Sequence, residues 1–225
     1  MEYKPENRED YDQETIFRDI DHIMEAVDFV GMVSVIGGEP FLHPQLPEII
    51  EHLLKWENFG AVNITTNGIF TVSEDVLRAL CYDRVKISFS VYDQFLTEQQ
   101  KRILEHNIEL VKKTGINYSV AHPLWVKPQA FKPYGYTQTQ MAVQREQCGS
   151  IKMSAAVKGG KFVACTTVEN LDGLGLYDIG EDIVDVTVRE GLRERLIVNL
   201  SKPFYQACQY CGNEKMEEIP AGEQV

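Results

Sequence analysis

The sequence predicts an α/β fold, and three observations predict it. Short apolar runs begin near residues 33, 61, 85 and 116, roughly 25 to 30 residues apart, the length of a strand, a crossover helix and two short loops. Between them lie segments whose apolar residues recur at steps of three and four, the period of an amphipathic helix. The chain has 225 residues, 44% apolar and 25% charged, the composition of a globular protein large enough to bury a core. Such βα units build a parallel sheet or barrel, and ligand sites gather at the C-terminal ends of its strands.

The elements follow in order. Ile16, Ile20, Ile23, Val27 and Val30 share one face of a helix over 14–30. Met32 to Ile36 is the first strand and ends in Gly37-Gly38. Leu46, Ile49, Ile50, Leu53 and Leu54 mark a helix before the strand at 61–65. Val76, Leu77 and Leu80 mark a shorter helix before the strand at 85–91, and Ile103, Leu104 and Ile108 a longer one before the strand at 116–120. The βα pattern then stops. Pro123, Pro128 and Pro133, among Trp125, Phe131, Tyr134 and Tyr136, predict an irregular connection. Residues 151–157 and 161–166 flank Lys158-Gly159-Gly160 and predict a β-hairpin, since two glycines supply positive φ cheaply. The acidic, glycine-bearing stretch 169–185 predicts surface loop, and 187–200 one more amphipathic helix. Domain limits are expected at 1–125, 126–147 as a connection, and 148–225.

Charge and cysteine usage exclude several function classes. Lys and Arg total 22 against 34 Asp and Glu, a net charge of −12, and an acidic surface repels the phosphate backbone that dominates nucleic-acid affinity. No nucleic-acid partner is expected. No run approaches the ~18 apolar residues of a membrane span, and Met1 to Tyr11 are polar and acidic instead of forming a signal peptide. The expectation is a cytoplasmic protein without a membrane partner. In a reducing compartment the five cysteines, at 81, 148, 165, 208 and 211, read as ligands, nucleophiles or core fillers rather than disulfides. Cys81 closes an apolar helical stretch and reads as a buried structural thiol.

Two motifs could carry chemistry. Ile36-Gly37-Gly38-Glu39-Pro40-Phe41 follows a strand directly. Its glycines let a ligand approach the backbone, and its carboxylate wants a cation or several donors if buried; the plainer alternative is a turn with a solvated Glu. The next strand ends in Thr65-Thr66-Asn67-Gly68, and in the third Lys86, Ser88 and Ser90 alternate with apolar residues, which puts them on one face. The second motif is Cys148, eleven residues, Gly160, four residues, Cys165, and after a gap Cys208-Gln209-Tyr210-Cys211. Four thiolates so spaced can enclose a tetrahedral zinc or an iron–sulfur cluster; scattered core cysteines are the alternative.

Together these motifs resemble the radical S-adenosylmethionine (AdoMet) enzymes. Gly37-Gly38-Glu39-Pro40, Thr66-Asn67-Gly68 and the serine-bearing third strand look like their cofactor-binding barrel. The cysteine pattern resembles the shortened SPASM appendage called a twitch domain. The resemblance implies a partial (β/α)6 TIM-like barrel missing its first strand, plus a small C-terminal hairpin and helix domain holding an auxiliary 4Fe-4S cluster through Cys148, Cys165, Cys208 and Cys211. It implies that Gly37, Gly38, Glu39 and Pro40 receive the methionyl ammonium, that Ser88, with Asn67 and Ser90, faces the ribose, and that Ser119 or His122 approaches substrate or adenine. It implies a 5'-deoxyadenosyl radical that abstracts hydrogen from a sugar-like or peptide substrate, and a reductant such as a flavodoxin or ferredoxin. No catalytic residue is identified. The family's Cys-x3-Cys-x2-Cys loop is missing from the sequence, so the expectation is an amino-terminally truncated piece whose catalytic 4Fe-4S cluster belongs to a longer chain. The rivals are a non-catalytic zinc- or iron–sulfur-binding interaction module and, more weakly, an aldolase-like barrel.

Overall fold

The computed structural model describes residues 11–126, 132–149, 155–175, 180–212 and 218–220. In chain order the elements are α1 (Gln13–Ala26), β1 (Val30–Val35), α2 (Leu46–Leu54), β2 (Phe59–Thr66), α3 (Glu74–Ala79), β3 (Val85–Ser90), α4 (Glu98–Thr114), β4 (Asn117–Ala121), β5 (Leu124–Val126) and α5 (Gln138–Gln147). They continue with β6 (Ala156–Lys158), β7 (Lys161–Val163), α6 (Thr166–Leu174), β8 (Ile183–Asp185), α7 (Leu192–Leu200) and β9 (Glu218–Pro220). Among the described residues no helix is long and apolar enough to cross a membrane. The chain divides into two compact units: a sheet unit, 28–127 with 218–225, and a cysteine unit, 1–27 with 128–217.

The sheet unit is the α/β fold that the repeat predicts. Its sheet runs β1-β2-β3-β4, and every neighbouring pair is parallel. Strand order equals chain order, so crossovers of one hand put α2, α3 and α4 on the same face. Alternation sorts the side chains. Val62, Ile64, Val85, Ile87 and Phe89 are buried, as are Ile50, Leu53, Leu77 and Leu104 of the helices, and each such side chain stabilises the fold by about 1.5–3 kcal/mol. The other face is polar and in register: Ser34 pairs with Asn63, Asn63 with Lys86 and Lys86 with Asn117, and one layer on Thr65 pairs with Ser88 and Ser88 with Ser119. Helix ends are chemically specified. Ser73 caps α3, and Thr97 with Gln100 forms a capping box on α4, satisfying N–H groups that the first turn leaves open. β5 and β9 pair antiparallel. The outer strand β1 exposes Met32, and Ile36 just after it is exposed as well.

In the cysteine unit, β6, β7 and β8 form an antiparallel sheet. The hairpin turns at Gly159 and Gly160, both at positive φ (55° and 80°), the geometry expected of a two-glycine turn. The core joins Val168, Leu171, Val184, Val186, Leu192 and Tyr205, with Ile23, Ala26 and Val27 of the α1 region packed on it. Polar bonds fix α1 there: the buried Asp19 carboxylate accepts from Gly160 N at 2.7 Å and from Arg18, and His22 Nδ1 lies 2.7 Å from Val186 O.

Several sequence expectations need correction. The first helix does not group with the βα repeat as the limits 1–125 expect, because the partly buried Ile23, Ala26 and Val27 pack against the cysteine unit's core; β9 instead pairs with β5. The expected connection 126–147 contains α5, opened by a capping box of Thr137 and Gln140. The expected surface loop at 169–185 holds most of α6, whose Val168 and Leu171 are buried, and β8. The last helix starts at Leu192 rather than 187, since Gly191 adopts the left-handed conformation before it. Cys81 is exposed: it lies one residue beyond the C-cap of α3, and Leu80 takes the buried position. Of the hairpin's first arm, 151–154 lie outside the described residues.

Candidate cofactor and metal sites

The first site lies at the C-terminal ends of β1 and β2. Gly37 and Gly38 take positive φ, 106° and 50°, with open space where a Cβ would point, so backbone conformation demands them. Glu39 opens a 3-10 turn, Pro40–Leu42, in which Pro40 is buried. Its carboxylate accepts three protein bonds: Thr66 Oγ1 at 2.6 Å and Phe41 N at 3.2 Å to Oε1, and Asn67 N at 3.0 Å to Oε2. An ionised carboxylate offers about four acceptor sites; two of the three bonds tie the β1 loop to the end of β2, and the third, from Phe41, is local to the loop. The half-buried carboxylate thus finds several donors within the protein itself.

The other sequence-named residues are placed nearby on β2, β3 and β4. Asn67 Oδ1 accepts from Ile69 N at 3.0 Å, a local turn that holds the strand end. Ser88 Oγ donates to Asn63 Oδ1 at 2.6 Å and lies 3.1 Å from Ser119 Oγ, a polar row spanning three strands. Ser90 bonds to Tyr92, whose hydroxyl is pushed up in pKa chiefly by burial, with the Glu39 charge adding to the rise and the Ser90 bond opposing it. His122 follows β4 and is exposed. Asn63 and Tyr92 were not singled out from sequence, and Thr66 only as part of Thr66-Asn67-Gly68. Asn63 and Thr66 were legible as polar residues in or ending a parallel strand, whereas nothing local marks Tyr92.

The second site lies within the cysteine unit. Cys148, Cys165, Cys208 and Cys211 line one pocket, together with Arg145 and Tyr205. Its volume is about 30 Å³, room for roughly two waters. Each thiol is positioned by a different device. Cys148 is the C-cap of α5, and Cys165 precedes the first turn of α6. Cys208 and Cys211 bracket a 3-10 turn, Gln206–Tyr210. That turn is tied down on several sides: Ala207 N donates to the buried Asp182 carboxylate at 3.0 Å, and Gln144 Nε2 to Cys211 O at 2.6 Å. Tyr134 N donates to Gln209 O and Tyr136 N to Gln209 Oε1, at 2.8 and 2.9 Å.

The electrostatics suit a cation. Burial pushes the Cys208 thiol up to about 11, and charge on Cys165, Cys211 and Asp182 adds to the rise. Cys165 is raised as well, again chiefly by burial, with backbone N–H groups of α6 pulling it back and Cys211 adding. Thiols that oppose one another's ionisation become thiolates together only around positive charge. Among the described residues no group of three or more His, Cys, Asp or Glu is arranged to hold a single metal ion. A buried donor completes the set: Arg145 Nε has no hydrogen-bond partner. Four thiols and an unmet buried N–H fit a multi-iron thiolate centre in donor chemistry.

No family model matches the chain. It is 35% identical over 124 residues to a protein of Methanococcus maripaludis strain C5 named probable GTP 3',8-cyclase, a match covering 54% of this chain and 40% of that protein. A protein of the same name from Methanococcus aeolicus is 36% identical over 94 residues, covering 40% and 30%. One from Methanococcus maripaludis strain C7 is 34% identical over 124 residues. The chain thus matches 40% or less of the length of these relatives. A solved structure, native anSMEcpe with bound AdoMet, superposes with a TM-score of 0.41 at 17% identity, over 53% of this chain and 38% of that one. These relatives all carry the name of an enzyme, and the similarity to them is one of sequence.

Proposed function

We propose that the chain is part of a radical AdoMet enzyme: the β1–β2 end of the sheet unit receives AdoMet, and the cysteine unit holds an auxiliary 4Fe-4S cluster. The observation that carries this reading is that Cys148, Cys165, Cys208 and Cys211, far apart in sequence, line one pocket. The similarity to proteins named GTP 3',8-cyclase supports the enzyme class that the motifs resemble. In this reading AdoMet and reduced iron–sulfur centres supply the radical chemistry, and the protein positions them. Gly37 and Gly38 offer open backbone to the methionyl end, Glu39 fixes the loop, and the Ser88–Asn63–Ser119 row presents hydroxyl and amide groups to the ribose side. With four thiolates engaged, the auxiliary cluster has no open iron.

Substrate and partners follow less directly. The relatives' name brings forward GTP, but a triphosphate calls for several cations. The polar face of β1–β4 carries one cation, Lys86, in a chain of net charge −12. A sugar-like or peptide substrate and a flavodoxin- or ferredoxin-type reductant suit it better. The rival reading is a zinc-binding interaction module. Metal analysis of the anaerobically purified chain separates the two: iron with labile sulfide supports the proposal, and zinc without sulfide rejects it.

A further inference from the structure

Arg145 lies on α5, three residues before Cys148, and its side chain lines the thiol pocket. Its plane is fixed by two neighbours. Nη2 donates to Leu200 O at 3.0 Å, and the guanidinium carbon sits 5.5 Å from the centroid of the buried Tyr205 ring, within cation–π range. The Nε–H is buried and bonds to nothing. An unmet buried donor costs on the order of 1–3 kcal/mol, more on a charged group, and native proteins rarely leave one without a partner that arrives later. The pocket that Arg145 lines is also lined by the four thiols Cys148, Cys165, Cys208 and Cys211. As neutral thiols they are weak acceptors; as thiolates or sulfides of a metal centre they are anionic and strong ones.

We propose, resting on the cluster reading above, that Arg145 Nε–H donates to a sulfur of the iron–sulfur centre in this pocket and thereby raises its reduction potential. The sign follows from charge. A thiolate-ligated cluster becomes more negative by one unit on reduction, so a fixed cation and hydrogen-bond donor stabilise the reduced form more than the oxidised one. Arg145 is then a positioning and tuning residue; the thiols hold the iron.

The test is a redox titration, followed by electron paramagnetic resonance, of the full chain reconstituted anaerobically, compared with Arg145→Gln and Arg145→Lys. Arg145→Gln should disfavour reduction about tenfold, a shift of about 59 mV to lower potential for one electron, with iron and sulfide content kept. Arg145→Lys, which retains the charge but loses the Nε–H, should fall between the two. A purely structural role through Leu200 and Tyr205 would lower the melting temperature without moving the potential. Unchanged potentials in loaded variants therefore overturn the proposal. Should Arg145→Gln fail to take up iron, Arg145→Lys decides: a lowered potential supports the role and an equal one rejects it. If the parent chain takes up no cluster, the cluster reading itself has failed, and this inference with it.

Discussion

Glu39 shows how one residue changes meaning between sequence and structure. Its place after a strand and two glycines marks it as functional, and in the structure its carboxylate also accepts from Phe41, Thr66 and Asn67. Glu39→Gln puts an NH2 group where a carboxylate oxygen accepts, most harmfully against Asn67 N–H. We expect the variant to lose on the order of 1.5–3 kcal/mol of stability and to bind AdoMet more weakly, measured by urea denaturation and equilibrium dialysis. Weaker binding with unchanged stability would mean that the carboxylate meets the ligand directly. The cysteines make a second residue-level prediction. The thiolate is the nucleophile, and burial with neighbouring charge keeps the metal-free Cys208 thiol near 11, while Cys81 is exposed. Iodoacetamide at pH 8 should therefore label Cys81 first, as read by peptide mass mapping; earlier labelling of Cys208 would contradict the burial.

At the scale of elements, what could be read from sequence is what period and turn chemistry encode. The parallel strands follow from apolar runs at βα spacing, and the hairpin from Gly159-Gly160. α5 was missed although Thr137-x-x-Gln140 writes its capping box, because prolines and aromatics just before it read as irregular chain. α6 was missed for a different reason. Cys165 gives it no side-chain cap, and its acidic and glycine residues mask the spacing of Val168 and Leu171. Gly68 offers an element-level test. It stands at φ 69°, and a Cβ there would come within 2.6 Å of Leu104 and 2.8 Å of Phe89, where β2 leaves the core beneath α4. Gly68→Ala should cost about 2–4 kcal/mol from overpacking and the left-handed backbone together, seen as a lower urea midpoint. An unshifted midpoint would mean that this turn is free to move.

For the whole molecule, chain order and folded unit part company. α1 precedes the first strand but packs with the cysteine unit, through the partly buried Ile23 and Ala26 and the buried Asp19, and β9 follows that unit but pairs with β5. Sequence neighbours could not disclose this, because an amphipathic face states that it will be buried and not against what. The convergence of the four cysteines was legible because their spacing survives any path of the chain between them; Arg145 was not, since only the fold brings it to that pocket. The central claim is that four particular thiols hold one four-iron centre. The most direct measurement is iron and acid-labile sulfide per chain after anaerobic reconstitution, for the parent, for Cys81→Ser, and for serine at 148, 165, 208 and 211 in turn. The account predicts about four of each in the parent and in Cys81→Ser, as a 4Fe-4S cluster requires, and a fall in each of the other four variants. One zinc per chain with no charge-transfer absorption, or a loss in Cys81→Ser as large as in Cys208→Ser, would contradict it.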